Sequence, residues 1–180
     1  MEDAYRKART VDFPLFPEGG DAATPFNAYP FHARFSDLET DWTFSQARCR
    51  LVQALGGVII DARTIGVRPA ALLIGGSFAD RAVDAPADLD TVIYYSSTSG
   101  DSAGLALGDL QHRAKHEAKI DCRFIPIDVD PLVIIRATAF FSILYAAEQM
   151  SRKVTRPPIY VDLDGDDEPQ YQRQYPDQRI

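Results

Sequence analysis

The chain has 180 residues, 46% of them hydrophobic and 25% charged, with two cysteines. This is a globular mix at the length of one domain, which excludes wholesale disorder, a collagen or coiled-coil fibre and a disulfide scaffold. The net charge of −7 is the wrong sign for a non-specific nucleic-acid binder.

The first twelve residues are polar and contain no apolar core, so no secretory signal is expected. Residues 1–35 carry Pro14, Pro17, Pro25 and Pro30 between Phe13, Phe16, Phe26, Tyr29, Phe31 and Phe35. The prolines argue against regular structure, and the aromatics argue against a solvated linker. An extended strap lying on the domain surface is expected, with a lid over a pocket as its functional alternative. From about Asp41 the apolar residues Phe44, Ala47, Leu51, Val52, Leu55, Val58, Ile59, Ala62 and Ile65 recur at helical spacing. Gly56 and Gly57 interrupt that helix, Gly66 suits its C-terminal cap and Pro69 stops it.

Ala70–Ile74 reads as a short buried strand, Gly75-Gly76-Ser77 as a turn and Leu89–Tyr95 as a second strand. A loop over residues 96–104 leads to a helix over 105–118, and Ile120–Ile125 is a third strand stopped by Pro126. Pro131, with Asp130 at the N-cap, opens a strongly apolar helix to about Ser151. Its Phe140, Phe141, Leu144 and Tyr145 are expected in the core, with a share left for a dimer face. The run Leu132–Ala147 is too short to span a bilayer and contains Arg136. Ile159–Leu163 is a last strand. Residues 162–180 hold six acids and two bases, read as a solvated acidic tail rather than a calcium loop, because neither the glycine nor the terminal glutamate fits an EF-hand.

The order predicts an α/β or α+β fold: a mixed sheet of four to five strands flanked by helices. The expected divisions are a strap over 1–35, a domain over 36–163 and a tail over 164–180. Cys49 and Cys122 lie in apolar segments and read as buried free thiols of a reducing compartment, hence a cytoplasmic protein with no membrane association. His112 and His116 are one helical turn apart. Without a His-Glu-x-x-His pattern they read as a solvated face rather than a zinc pair, and the lone His32 reads as structural.

The chemistry concentrates between residues 72 and 93. An apolar strand ends in Gly75-Gly76-Ser77. Eleven residues after Ser77, Asp88 and Asp90 flank Leu89 at the start of another strand, so both acids point to one face. Two carboxylates on one face repel, and each is unfavourable to bury unpaired. A hard divalent cation, Mg²⁺ or Mn²⁺, relieves both problems. Gly75 and Gly76 would let backbone approach an anion, Ser77 adds a hydroxyl, and a helix beginning at Phe78 would favour phosphate. Asp121 on a neighbouring strand would complete a two-metal arrangement and accept the proton of an attacking hydroxyl. Asp88, Asp90 and Asp121 are therefore the candidate metal and catalytic residues, and Gly75, Gly76, Ser77 and Arg81 the candidate nucleotide-binding residues.

Gly76-Ser77, the spacing to Asp88-Leu89-Asp90-Thr91, and a later strand acid at Asp121 together resemble the nucleotidyltransferase superfamily of polymerase-β type. The wider arrangement, from Phe13 to Leu163, is similar to small bacterial nucleotidyltransferase-like proteins. That resemblance implies a nucleotidyltransferase that moves a nucleoside monophosphate from a nucleoside triphosphate such as ATP to a hydroxyl of protein, RNA or a small molecule, with pyrophosphate leaving. Asp80 stands where many small members carry arginine, the base is displaced to Arg81, and Arg123 shares a face with Asp121. These departures favour the alternative of a non-catalytic nucleotide- or partner-binding module, for instance half of a toxin–antitoxin or phage-defence pair, or a homodimer. A third reading takes the acids as surface loops of an interaction domain.

Overall fold

The computed structural model describes residues 31–97, 103–146 and 158–163, together with Arg6 and Arg9. Most of the strap, the acidic tail and the expected helix end beyond Ala146 lie outside the described residues. The elements run β1 (Phe31–Arg34), α1 (Phe35–Asp41), α2 (Gln46–Thr64), β2 (Val67–Gly75), a 3₁₀ turn (Gly76–Ala79), β3 (Leu89–Ser97), α3 (Ala103–Glu117), β4 (Ile120–Pro126), α4 (Pro131–Ala146) and β5 (Ile159–Asp162). The five strands form one mixed sheet in the order β1-β5-β2-β3-β4. Only the β1–β5 and β3–β4 pairs are parallel; β2 is antiparallel to both β5 and β3. The fold is α+β, a mixed sheet flanked by helices, as the element order predicts.

One face of the sheet is covered by three helices. Leu51, Val52, Leu55, Val58 and Ile59 of α2 pack with Phe35 and Leu38 of α1 against Leu72, Ile74, Leu89, Ile93, Ile120 and Cys122. Leu107 and Leu110 of α3 join Ala62 and Val67 on the same side. Fully burying one such aliphatic side chain contributes roughly 1.5–3 kcal/mol, so this layer carries most of the stability. The other face holds Ala71, Leu73, Val92 and Tyr94, covered by Tyr145 and Phe141 of α4.

Three details depart from the sequence reading. Residues 31–35 belong to the sheet domain rather than to a strap, because Phe31–Arg34 pair with Ile159–Asp162 and Phe35 is buried. The helix expected from about Asp41 begins only at Gln46, as α2, and the unexpected α1 precedes it. Ser45 sets that start by capping α2, its hydroxyl accepting from Arg48 N at 3.3 Å. Gly56 and Gly57 leave α2 continuous from Gln46 to Thr64. β2 begins at Val67 and keeps Pro69 at a register irregularity between Pro69 and Ala71, where a missing ladder donor is tolerated.

Asp130 caps α4 as expected, its carboxylate accepting from Leu132 N at 2.9 Å. The core reading of α4 holds for Tyr145 but not for Phe140 and Leu144, which are 60% and 52% exposed. A single helix on this face can bury only one side. No helix among the described residues is long and apolar enough to cross a membrane. Cys122 is a buried free thiol, while Cys49 is only half-buried.

Candidate functional site

The sheet register brings three predicted residues into one row. Gly75 pairs with Asp90 across β2 and β3, and Asp90 pairs with Asp121 across β3 and β4. Directly opposed residues share a face. The partner rows Leu73–Val92 and Arg123–Val92 lie on the same side, so the acids sit on the α4 face at the end of the sheet. Asp88 precedes β3 and is half-buried. It acts on Asp90 electrostatically, as Asp121 does.

The parallel register of β3 and β4 is set just outside the strands. Lys119 takes a positive φ of 60°, and its carbonyl accepts from Leu89 N at 3.0 Å. The turn from α3 into β4 thereby aligns Asp121 with Asp90.

The two glycines serve different needs. Gly76 has φ +64°, a left-handed conformation that favours glycine. The position of its absent Cβ is occupied by Asp90 Oδ2. Gly75 has an extended backbone, φ −150°. A Cβ there would lie 2.6 Å from Tyr145 Cγ. The open faces of both glycines are therefore filled by protein side chains and not by space for an anion. After the turn there is no α-helix at Phe78, only a 3₁₀ turn of four residues, so the helix-dipole contribution expected for phosphate is absent. Ser77 is half-buried.

Asp90 is the unusual group. Its carboxylate is half-buried and accepts no hydrogen bond from a described residue. Burial pushes it up to about 6, Asp88 and Asp121 push the same way, and Lys115 and Arg123 oppose them. Tyr145, an unpredicted member of the site, is 6% exposed. Burial raises its hydroxyl well above the usual range, and Asp90 and Asp121 add to this.

An acid raised above its unfolded value of about 4 binds its proton more tightly in the folded state. Folding stability therefore falls as pH rises from about 4 through the folded value of about 6, and stays lower above it. Asp90→Asn is accordingly expected to be more stable than wild type by about 1 kcal/mol at pH 7.5, after allowing for solvent screening, and to show no such gain at pH 4. Urea unfolding at the two pH values checks this. An equal difference at both would show that Asp90 titrates normally.

Asp121 is differently placed. Lys115 Nζ lies 2.7 Å from its Oδ2 and Arg123 Nη1 2.8 Å from its Oδ1. The Asp121–Arg123 pairing weighed from their shared face is therefore present, with Lys115 added. Among the described residues no group of three or more His, Cys, Asp or Glu side chains converges to hold a metal ion. Asp88 and Asp90 nonetheless fit one, because Mg²⁺ is commonly bound by one or two carboxylates, with waters and substrate phosphates completing its shell. A carboxylate that accepts no hydrogen bond from a described residue and is repelled by two others is one that such a cation would satisfy.

Arg81 is directed elsewhere. It donates to the Asp41 carbonyl at 2.6 Å and lies over the Trp42 and Phe44 rings at 5.3 and 5.0 Å. The structure gives it a packing role beside the loop and does not bring it to the row of acids.

Arg48 escaped the sequence reading and holds the loop between β2 and β3. It is fully buried. It donates to the carbonyls of Phe78 at 2.8 Å, of Val83 at 3.0 and 2.8 Å, and of Asp80. Its guanidinium lies 4.4 Å from the Phe44 ring centre and 4.9 Å from that of Phe78. Burial, then Arg81, lowers it to about 10, so it stays charged at neutral pH. The available signal was position: Arg48 falls one turn after Phe44 and one turn before Val52, on the apolar stripe. The exposed His112 and His116 rings lie 4.3 Å apart, tilted, on α3, and His32 stacks on Tyr160 at 5.3 Å.

No curated protein and no solved structure matches the chain. A family model does match, over residues 14–156, which spans β1 through α4 and so includes the whole row of acids. The chain belongs to that family, described as a family of unknown function, DUF6932.

Proposed function

We propose that this chain is a Mg²⁺- or Mn²⁺-dependent nucleotidyltransferase acting on a nucleoside triphosphate, with Asp88 and Asp90 holding the cation. The observation that supports it is the half-buried Asp90 carboxylate, which lacks a hydrogen-bond donor among the described residues and is repelled by Asp88 and Asp121. The cation, when bound, supplies charge neutralisation at the phosphates. Asp88 and Asp90 would be the side chains that hold it. The Ser77 hydroxyl, one residue after Gly76, would hydrogen-bond a phosphate oxygen. In transfer, an acceptor hydroxyl oxygen bonds to the α-phosphorus and the bond to the bridging oxygen of pyrophosphate breaks. The hydroxyl proton passes to a carboxylate or to water.

A second reading, metal-dependent nucleotide binding without transfer, is favoured by one observation. Asp121, the residue expected to act as base, has one oxygen on Lys115 and the other on Arg123. Both of its carboxylate oxygens are therefore engaged, and its freedom to move is reduced by that pairing.

The test is transfer of label from each α-labelled nucleoside triphosphate with Mg²⁺ or Mn²⁺, with whole-cell RNA and protein offered as acceptors. Wild type is expected to label an acceptor, and the Asp88→Asn/Asp90→Asn variant to lose at least 100-fold of that activity, the scale of removing a principal electrostatic contribution. Metal-dependent nucleotide binding without label would establish the second reading. Absence of both label and binding would overturn the two together.

A further inference from the structure

The end of the sheet that carries Asp88 and Asp90 also carries two cations whose donors are only partly engaged by described residues. Arg123 follows Asp121 by two residues on β4, so both point to the α4 face. Lys115 comes from α3, which packs on the opposite face. β4 is the last strand of the sheet, and Lys115 reaches Asp121 at that edge. Each cation takes one oxygen of Asp121, at 2.7 Å for Lys115 and 2.8 Å for Arg123.

A guanidinium has five N–H donors. Every hydrogen bond of Arg123 to a described residue leaves from Nη1, to Asp121 Oδ1 and to the Cys122 carbonyl at 3.0 Å. Its Nε–Nη2 edge, two parallel donors spaced for two oxygens of one phosphate, meets no acceptor among the described residues. The Arg123 and Lys115 side chains are 41% and 49% exposed, so neither is sealed into the core. Both cations also act on Asp90, which sets them beside the carboxylates that would hold the metal.

We propose that Arg123 and Lys115 are the phosphate-binding cations of this site, and that Asp121 is the residue that positions them. Asp121 turns two long side chains toward one spot and fixes the Arg123 guanidinium plane through Nη1, leaving the Nε–Nη2 edge outward. The inference rests on the nucleotide reading of Asp88 and Asp90. It moves the phosphate contact from Arg81, which is engaged at Asp41 and Trp42, to Arg123. It also moves Asp121 from the metal to the cations.

The test measures binding of Mn²⁺ alone and of inorganic triphosphate with Mn²⁺ to the full chain. Arg123→Ala is expected to weaken triphosphate binding by roughly 10- to 100-fold, the scale of charge-assisted hydrogen bonds, with Mn²⁺ affinity within about twofold of wild type. Arg123→Lys keeps the charge but not the paired donors, and is expected to recover only part of the loss. Asp121→Asn is expected to weaken triphosphate binding and spare Mn²⁺. Combined with Arg123→Ala and Lys115→Ala it should weaken triphosphate binding no further than those two together, a non-additivity that general destabilisation would not produce. Unchanged triphosphate affinity in Arg123→Ala overturns the inference alone, and loss of Mn²⁺ binding in Asp121→Asn overturns the role given to Asp121. Retention of Mn²⁺ binding in Asp88→Asn/Asp90→Asn overturns the reading on which both stand.

Discussion

Arg48→Ala is expected to destabilise the fold by about 3 kcal/mol or more, the largest effect of any single truncation outside the apolar core. Arg48 is fully buried and meets three backbone carbonyls, those of Phe78, Asp80 and Val83. Hydrogen bonds from a charged donor are worth about 1.5–3 kcal/mol each, and losing the donor leaves its buried acceptors unsatisfied. The rings of Trp42, Phe44 and Phe78 also lose their cation. Arg48→Lys keeps the charge but cannot serve three carbonyls in that planar arrangement, so it should recover less than half the loss. Chemical unfolding gives both numbers. Hydrogen exchange across residues 78–84 should rise in Arg48→Ala even under conditions where the sheet stays protected, because Arg48 holds three of that segment's carbonyls. A loss below 1 kcal/mol would mean that the 3₁₀ turn and the loop are held by Ser45 and the core alone. The prediction reaches the site, since the same loop carries Ser77 at one end and Asp88 at the other.

Most of the fold was legible because its elements are locally patterned. The β-branched run from Leu89, the helical spacing of α2 and the Asp130-Pro131 start of α4 each announce themselves within a few residues. What was not legible depends on distant pairing. Phe31–Arg34 is a strand only because β5, far along the chain, runs parallel beside it. Among prolines it reads as irregular. The start of α2 at Gln46 rather than near Asp41 is not legible because Phe44 and Ala47 carry the apolar spacing across the Ser45 cap. The site follows the same division. Asp88, Asp90 and Gly76 were found from a spacing that one turn and one strand enforce, and Asp121 from a strand pattern. Lys115 and Tyr145 come from helices on opposite faces of the sheet and carry no local signal. Arg81 was picked for its charge near the turn, but the ring of Trp42 and the carbonyl of Asp41 compete for it and win. A guanidinium one turn earlier or later on a loop can face either way, and only the packed structure decides which.

Gly75→Ala should destabilise the fold by about 2 kcal/mol, and Tyr145→Ala should relieve most of that penalty. The backbone at Gly75 is extended, so alanine meets no conformational objection there. The obstacle is steric: the new methyl would lie 2.6 Å from Tyr145 Cγ and 3.0 Å from Cδ2, and closer still to Cβ. Tyr145 Cβ is tied to the α4 backbone, so relief requires the helix to shift and not merely a side chain to rotate. Tyr145→Ala alone opens a cavity under α4, a loss of about 3 kcal/mol for a 6% exposed aromatic. In the double variant the methyl enters that space, and the combined loss should fall short of the sum by at least 1 kcal/mol. Additive losses would mean that Gly75 is accommodated by sheet movement and that Tyr145 does not lie on it. Gly76→Ala provides the contrast, because its φ of +64° strains any L side chain, and Asp90→Ala can remove only the steric part. The cycle also bears on the proposed cation. Tyr145 is buried against Gly75 and feels the charges of Asp90 and Asp121, and Asp90 accepts no hydrogen bond from a described residue. Tyr145→Phe preserves the ring and should leave Mn²⁺ affinity within about twofold. Tyr145→Ala admits water, lowers the Asp90 carboxyl toward its ordinary range and removes part of the desolvation that makes a bound cation favourable. Its Mn²⁺ affinity should therefore fall together with the pH dependence of folding, and a fall in one without the other would separate the role of Tyr145 in packing from its role at the carboxylate.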